Sequence, residues 1–316
     1  MWKRAEVGRD RVVSDDACVV VVGATGALGG AVARRLLAAG VPVRAFGRNR
    51  AKLDALAALG AEAVSGDLLD RGAVDAACVG ARQLFTSANN VMGSGDASPN
   101  RVDLPAYRNV CEAAARHGVR RLVHVSGRGM GGADSPVDFF RVKHHVDEVV
   151  QRCGVPYVIL RPTAFLDTWA AMLLGDGIRD KGVAVLFGDG RRVSNFIAID
   201  DVADIAQCIL QRDEVHDEII DIGGPSNLSF LDVAKLVERE LGVTAKRRHI
   251  PVAVLRLGAV LLRPINEVAA RKMALGYFSA TRDGSFADWR KSAERFGVSP
   301  MTAERFIARW NGRPNG

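Results

Sequence analysis

The chain is poor in residues that cross-link proteins or hold metals. Its five cysteines, Cys18, Cys78, Cys111, Cys153 and Cys208, are odd in number and scattered, and its six histidines show no Cys-x-x-Cys or His-Glu-x-x-His spacing. A disulfide framework is thereby excluded, reduced thiols are expected, and no metal site is expected. No stretch of about 18 uninterrupted apolar residues could span a bilayer. Residues 1–16 mix four basic and four acidic side chains where a signal peptide would have an apolar centre, so a frayed arm and a cytoplasmic location are expected. A Gly-x-Ser-x-Gly elbow is also missing, which removes that route to hydrolysis.

What the chain does have is an apolar run, Val19–Val22, that breaks into three glycines spaced by three, Gly23, Gly26 and Gly29, before a helical pattern opens. Gly23 suits a sharp turn out of a buried strand, Gly26 suits close approach of backbone to a pyrophosphate, and Gly29 suits tight helix–strand packing. The helix N-terminus then faces the phosphates. With Thr25, Ala27 and Leu28 these glycines are the expected dinucleotide loop. The helix carries Leu28, Val32, Leu36 and Leu37 on one stripe and stops at Gly40, and a second strand, Val41–Gly47, follows. The residue just past that strand meets the adenosine ribose, where an acid suits NAD and a cation suits the 2′-phosphate of NADP. Here it is Arg48, with Arg50 and Lys52 behind it and no acid before Asp54. NADP(H) is therefore expected in preference to NAD(H), with Arg48 and Lys52 at the phosphate.

Strand and helix patterns go on alternating, with strands near 61–64, 82–86, 120–126 and 157–160 and helices near 104–117 and 138–152. The expected fold is α/β, a Rossmann-type doubly wound parallel sheet with ligands at the C-terminal ends of its strands. Asp67 and Leu68 follow the third strand; the carboxylate suits an adenine amino group and equally the cap of the next helix. Ser87, Asn89 and Asn90 follow the fourth strand, as pocket residues or as ordinary loop polar groups.

Gly23-Ala-Thr-Gly-Ala-Leu-Gly29, Arg48 with Lys52, Gly66-Asp67, the run Gly118–Ser126, Lys143 and the run Tyr157–Pro162 together resemble an atypical short-chain dehydrogenase/reductase of the NmrA-like branch. The resemblance continues through Phe196–Ala203, Ile222–Pro225 and Phe296–Thr302. It implies NAD(P)H binding, and it implies one of several roles: quinone or isoflavone-type reductase, redox-sensing regulator without chemistry, or assembly factor of a larger complex. In the parent family a serine after the fifth strand orients the substrate carbonyl, and a tyrosine four residues before a lysine supplies the proton. Ser126 and Lys143 stand at the matching places, but the tyrosine position is Phe139. A phenyl ring donates no proton, so epimerase- or dehydratase-like chemistry, which leans on that phenol, is the weakest reading. The resemblance leaves Lys143 as the functional end of the pair, holding the nicotinamide ribose and serving acid/base work beside Ser126.

Pro162 and Phe165 follow the sixth strand, in a turn that the resemblance implies lies over the nicotinamide; Trp169 is four residues on from Phe165, the spacing of a shared helical face, either in the pocket wall or in ordinary packing between two lobes. With Asn89, Asn90 and Phe139 they would favour a flat, apolar carbonyl or quinone-type substrate. His124 is expected as a core residue and His145 as a half-buried one. A Rossmann domain over residues 17–162, with 196–222 returning to its sheet, leaves 163–195 and 223–316 for a small C-terminal substrate lobe.

The net charge of +7 is concentrated. Residues 246–272 carry Lys246, Arg247, Arg248, Arg256, Arg263, Arg271 and Lys272 against Glu267 alone, around an apolar helix at 251–263. Three readings stand: a core helix with solvated arginines, a helix for a partner or membrane surface, and a nucleic-acid patch. No nucleic-acid motif accompanies the charge, so no such partner is expected. Oligomeric state has no signature in the sequence.

Overall fold

A computed structural model describes residues 18–312. The expected arm at 1–16 lies outside the described residues. In chain order the first half holds β1 (Cys18–Val22), α1 (Ala27–Ala38), β2 (Val43–Gly47), α2 (Arg50–Ala57), β3 (Glu62–Ser65), α3 (Arg71–Cys78), β4 (Ala81–Thr86), α4 (Pro99–Arg116), β5 (Arg121–Val125), α5 (Asp138–Arg152) and β6 (Tyr157–Pro162). The second half adds β7 (Ala164–Phe165), a π-helical segment Asp167–Gly175, α6 (Asp176–Lys181), β8 (Val183–Phe187), β9 (Val193–Ile197), α7 (Ile199–Leu210), β10 (Glu218–Ile222), β11 (Ser226–Ser229) and α8 (Phe230–Leu241). It ends with β12 (Lys246–Ile250), α9 (Val252–Leu261), α10 (Glu267–Thr281), α11 (Trp289–Phe296) and α12 (Ala303–Asn311).

Seven strands form one parallel sheet in the order β10-β6-β5-β4-β1-β2-β3. The central strands β1 and β5 are buried along their whole length, as strands covered on both faces must be. One face is sealed by α1, α2 and α7 through residues such as Val32, Leu36, Leu53 and Ile205. The other is sealed by α3, α4 and α5 through Val74, Val110 and Val146. The Rossmann-type architecture expected from the sequence is therefore present. Helix α4 begins at Pro99 and carries Pro105 inside it, five residues ahead of the expected start.

Phe196 and Ile197 do not open the return to this sheet. They belong to β9, which lies between β11 and β7 in a separate three-stranded sheet; the return begins with α7. Beside it β8 and β12 pair in parallel, and Leu174, Leu186, Phe230, Val237 and Ile307 fill a third apolar cluster. A smaller cluster of Val137, Phe139 and Ala274 joins the start of α5 to α10. This junction brings the second half of the chain over the strand ends.

Candidate active site

A cleft of about 830 Å³ runs along the C-terminal ends of β1, β2, β4, β5 and β6. At its start Gly23 turns with φ +82°, a left-handed conformation that favours glycine. Helix α1 opens at Gly26 with no side-chain cap, leaving first-turn N–H groups toward the cleft, where an anion fits. A Cβ on Gly29 would drive into the Gly23 carbonyl. Two further glycines keep the rim low: a Cβ on Gly47 would come within 2.8 Å of Thr25, and one on Gly66 within 2.7 Å of the Phe46 ring.

Arg48 stands at this rim, 69% exposed, with Nη1 3.8 Å from an Asp67 carboxylate oxygen. Lys52 is placed differently. Its ammonium donates to the Thr25 carbonyl at 3.2 Å, and it is absent from the cleft wall. It braces the loop. Asp67 accepts from the Leu69 amide at 2.9 Å, while Asp70 is the residue that caps α3. The carboxylate of Asp67 therefore stays at the cleft edge, beside Leu68.

At the middle, Lys143 is buried and donates to the Val125 carbonyl at 2.8 Å. Burial lowers its pKa from the usual lysine range, opposed by the carboxylates of Asp147 and Asp103. The Ser126 hydroxyl donates to Asp147 Oδ2 at 2.9 Å, and Arg161 reaches the same oxygen at 3.4 Å. Burial raises the pKa of Asp147 against the opposing pull of Ser126, Lys143 and Arg161. His124 is fully buried, as expected of a core residue, with Nδ1 3.0 Å from Thr86 Oγ1. Burial and the Lys143 charge hold it well below the ordinary histidine range, so it stays neutral. Its Nε2 faces Asp147 Oδ1 at 3.5 Å, and neither atom has a hydrogen-bond partner among the described residues. His145 is exposed beside Glu148 and is not the half-buried residue its spacing suggested.

The far end is aromatic. Phe139, Phe140, Phe165, Trp169, Phe230 and Phe278 line it, with Trp169 edge-on to Phe230 at 5.4 Å and the Phe139 ring 5.8 Å from Lys143 Nζ. Phe165 and Trp169 do not share a helical face: Phe165 lies on β7 and Trp169 in the π-helical segment. They reach the same space because chain direction changes between them. Asn89 lines the wall and is exposed. Asn90 is committed to its own loop, its amide N–H donating to Asp103 at 3.2 Å and its side chain to the Ala97 carbonyl.

One cleft thus collects every candidate residue except Lys52. Sequence reasoning missed Asp103, Tyr107, Phe140, Phe230, Phe278 and Arg282 on its wall. It also missed Arg271, which is buried and bonds both Asp138 oxygens at 2.8 Å and the Val91 and Gly93 carbonyls at 2.8 and 2.9 Å. Sequence reading counted Arg271 within the basic patch.

The family model described as NAD(P)H-binding matches residues 23–213, which is more than half of the chain and includes the whole glycine loop. The chain belongs to this NAD(P)H-binding family. Within it the features fit an atypical short-chain dehydrogenase/reductase of the NmrA-like kind. Among its relatives, a (4-alkanoyl-5-oxo-2,5-dihydrofuran-3-yl)methyl phosphate reductase of Streptomyces griseus is 29% identical over 252 residues, 78% of this chain and 82% of the relative. An NAD(P)H azoreductase of Xenophilus azovorans is 28% identical over 225 residues, 71% of this chain and 74% of its own. In fold, the NADPH complex of a quinone oxidoreductase from Escherichia coli superposes with a TM-score of 0.75 at 21% identity, covering 93% of this chain and all of that one. A photosystem II assembly factor Ycf39 of Cyanophora paradoxa is also among the relatives, 27% identical over 247 residues, 76% of this chain and 73% of its own. No described helix is long and apolar enough to cross a membrane.

Proposed function

We propose that this member of the NAD(P)H-binding family is an NADPH-dependent reductase of flat, apolar carbonyl or quinone-type acceptors, working without an active-site phenol. One observation carries the reading: a single cleft runs from an uncapped helix N-terminus behind a glycine loop, past a buried lysine, into an aromatic chamber. The bound nucleotide would supply a hydride. Gly23, Gly26, Ala27, Leu28 and Gly29 would hold its pyrophosphate, Arg48 its 2′-phosphate, Asp67 and Leu68 its adenine edge, and Ser87, Pro162 and Phe165 its nicotinamide half.

Lys143 acts by charge and position. Its anchor on the Val125 carbonyl fixes the ammonium at the cleft wall, where it would hold the nicotinamide ribose and neutralise an acceptor oxygen that gains electrons. With Phe139 in the tyrosine position, no phenol stands there to protonate the acceptor, and the lysine and solvent are the proton sources of this reading. That suits a quinone, whose reduced oxygen is weakly basic, better than an ordinary ketone. Ser126 has its proton committed to Asp147, so it would orient an acceptor oxygen only by turning that proton from the carboxylate to the substrate. The aromatic walls favour ring stacking and exclude water from the transfer.

The deciding experiment follows NADPH oxidation by absorbance against quinones and aromatic ketones, with NADPH binding titrated in parallel. Turnover with quinones ahead of ketones is expected. Tight NADPH binding with no turnover on any acceptor would replace this reading with that of a nucleotide-binding sensor or assembly factor.

A further inference from the structure

Helix α9 turns its apolar side outward. Leu255 is buried, whereas Val254, Leu257, Val260 and Leu261 are all more than half exposed, and Ile265 just beyond is 82% exposed. At 3.6 residues per turn those four side chains share a sector of about 120°, with Leu255 roughly opposite. Arg256 is exposed beside one border of that sector, and Arg263 is exposed in the turn just past the end of the helix. The structure also sorts the basic cluster. Arg247 is paired with Glu238 and Arg271 with Asp138, while Lys246, Arg248, Arg256, Arg263 and Lys272 are exposed and form no ion pair among the described residues. Of the three readings, the core helix fits the burial least: Leu255 is the one buried residue of α9, and its apolar stripe lies bare beside exposed cations.

We propose that α9 is an interfacial helix that docks this chain on an anionic bilayer surface. An apolar stripe bordered by arginines matches the boundary between acyl chains and acidic headgroups, burying the stripe while the guanidinium groups stay at headgroup depth. A nucleic acid would answer the charge and leave the stripe exposed. A second copy meeting face to face would bring like basic borders together. The surface is coupled to the cleft by close packing: Gly258 of α9 lies against Met273 and Gly276 of α10 against Leu255, each where a Cβ would come to about 3 Å, and α10 supplies Leu275 and Phe278 to the cleft wall. Docking itself is independent of the reductase reading. Given that reading, it would also bring the cleft to acceptors dissolved in the bilayer.

The test is flotation of the full-length protein with phosphatidylcholine vesicles containing roughly one third phosphatidylglycerol, against pure phosphatidylcholine, at low salt, with light scattering for mass. Flotation with the anionic vesicles alone is expected. It should fall at least about tenfold in Leu257→Asp/Leu261→Asp and several-fold in Arg256→Glu/Arg263→Glu, with NADPH affinity unchanged as proof of fold. The proposal is overturned if the unmodified protein stays unbound, if it floats equally with both vesicles, or if the leucine variant floats undiminished. It is also overturned if light scattering shows a dimer that the leucine variant separates, because a second copy then covers the stripe.

Discussion

The two ends of the cleft are built from different material. The end proposed for the adenosine and pyrophosphate comes from a nearly continuous stretch, Gly23 to Leu68, and its shape is set by backbone: a turned glycine, an uncapped helix and side chains that are absent at Gly29, Gly47 and Gly66. The acceptor end is assembled from side chains on α5, β7, the π-helical segment, α8 and α10, held by contacts such as the Arg271–Asp138 pair. A backbone-built site should fail abruptly when a side chain is added, and a side-chain-built site should fail by degrees. On the proposed reading the difference also separates cofactor from substrate: the glycine loop would serve any dinucleotide reaction, while the aromatic assembly would select the acceptor.

The sharpest break of that contrast is Gly29→Ala. Its Cβ would meet the Gly23 carbonyl, and backbone has little room to yield. NADPH binding should be lost, and stability should fall by about 1–3 kcal/mol or more. Gly26→Ala, whose Cβ would stand 3.3 Å from the same oxygen, should weaken binding and leave stability almost unchanged. Isothermal titration and thermal melts on both variants distinguish them, and equal behaviour would mean that the loop is not built on close contact.

Next in size is Lys143→Met, at the boundary between the two ends. Turnover on quinones should fall by about 10²-fold, with NADPH affinity reduced far less. Full turnover in this variant would remove the lysine from the chemistry. At the acceptor end, Arg271→Ala leaves Asp138 half-buried without its partner and releases the carbonyls of Val91 and Gly93, so a loss of about 3 kcal/mol is expected. The damage should be local: faster proteolysis near residues 91–98, a raised KM for acceptor and NADPH affinity within a few-fold. A uniform loss at both ends would contradict the division drawn here.

That division explains what the sequence made legible. Glycine spacing and strand runs are local patterns, so the sheet and the loop could be read directly, whereas the significance of Phe139 four residues before Lys143 came only from the resemblance. Phe230 and Phe278 lie far along the chain from Phe139 and carry no mark of the shared wall; their meeting follows from how α8 and α10 pack. Phe165 and Trp169 misled because a four-residue spacing means a shared face only inside a regular α-helix, and β7 interrupts it. Arg271 was hidden among basic neighbours because charge patterns do not reveal which cation is buried. Helix α9 left three readings open, because apolar periodicity reports a stripe and says nothing about whether anything covers it.

The smallest effect concerns the rim, where even the nucleotide end relies on a side chain. Arg48 is largely exposed and opposite Asp67 at 3.8 Å, so solvent screens both its present ion pair and any phosphate it would meet. Arg48→Ala should therefore shift the preference for NADP over NAD by only about tenfold, equivalent to about 1.4 kcal/mol. The pyrophosphate contacts, being backbone, should hold NAD affinity steady in the variant. Comparing Kd for the two nucleotides in parent and variant tests this directly. If the preference does not move, the 2′-phosphate contact lies elsewhere on the rim, and Lys52, freed from the Thr25 carbonyl, is the next cation to substitute.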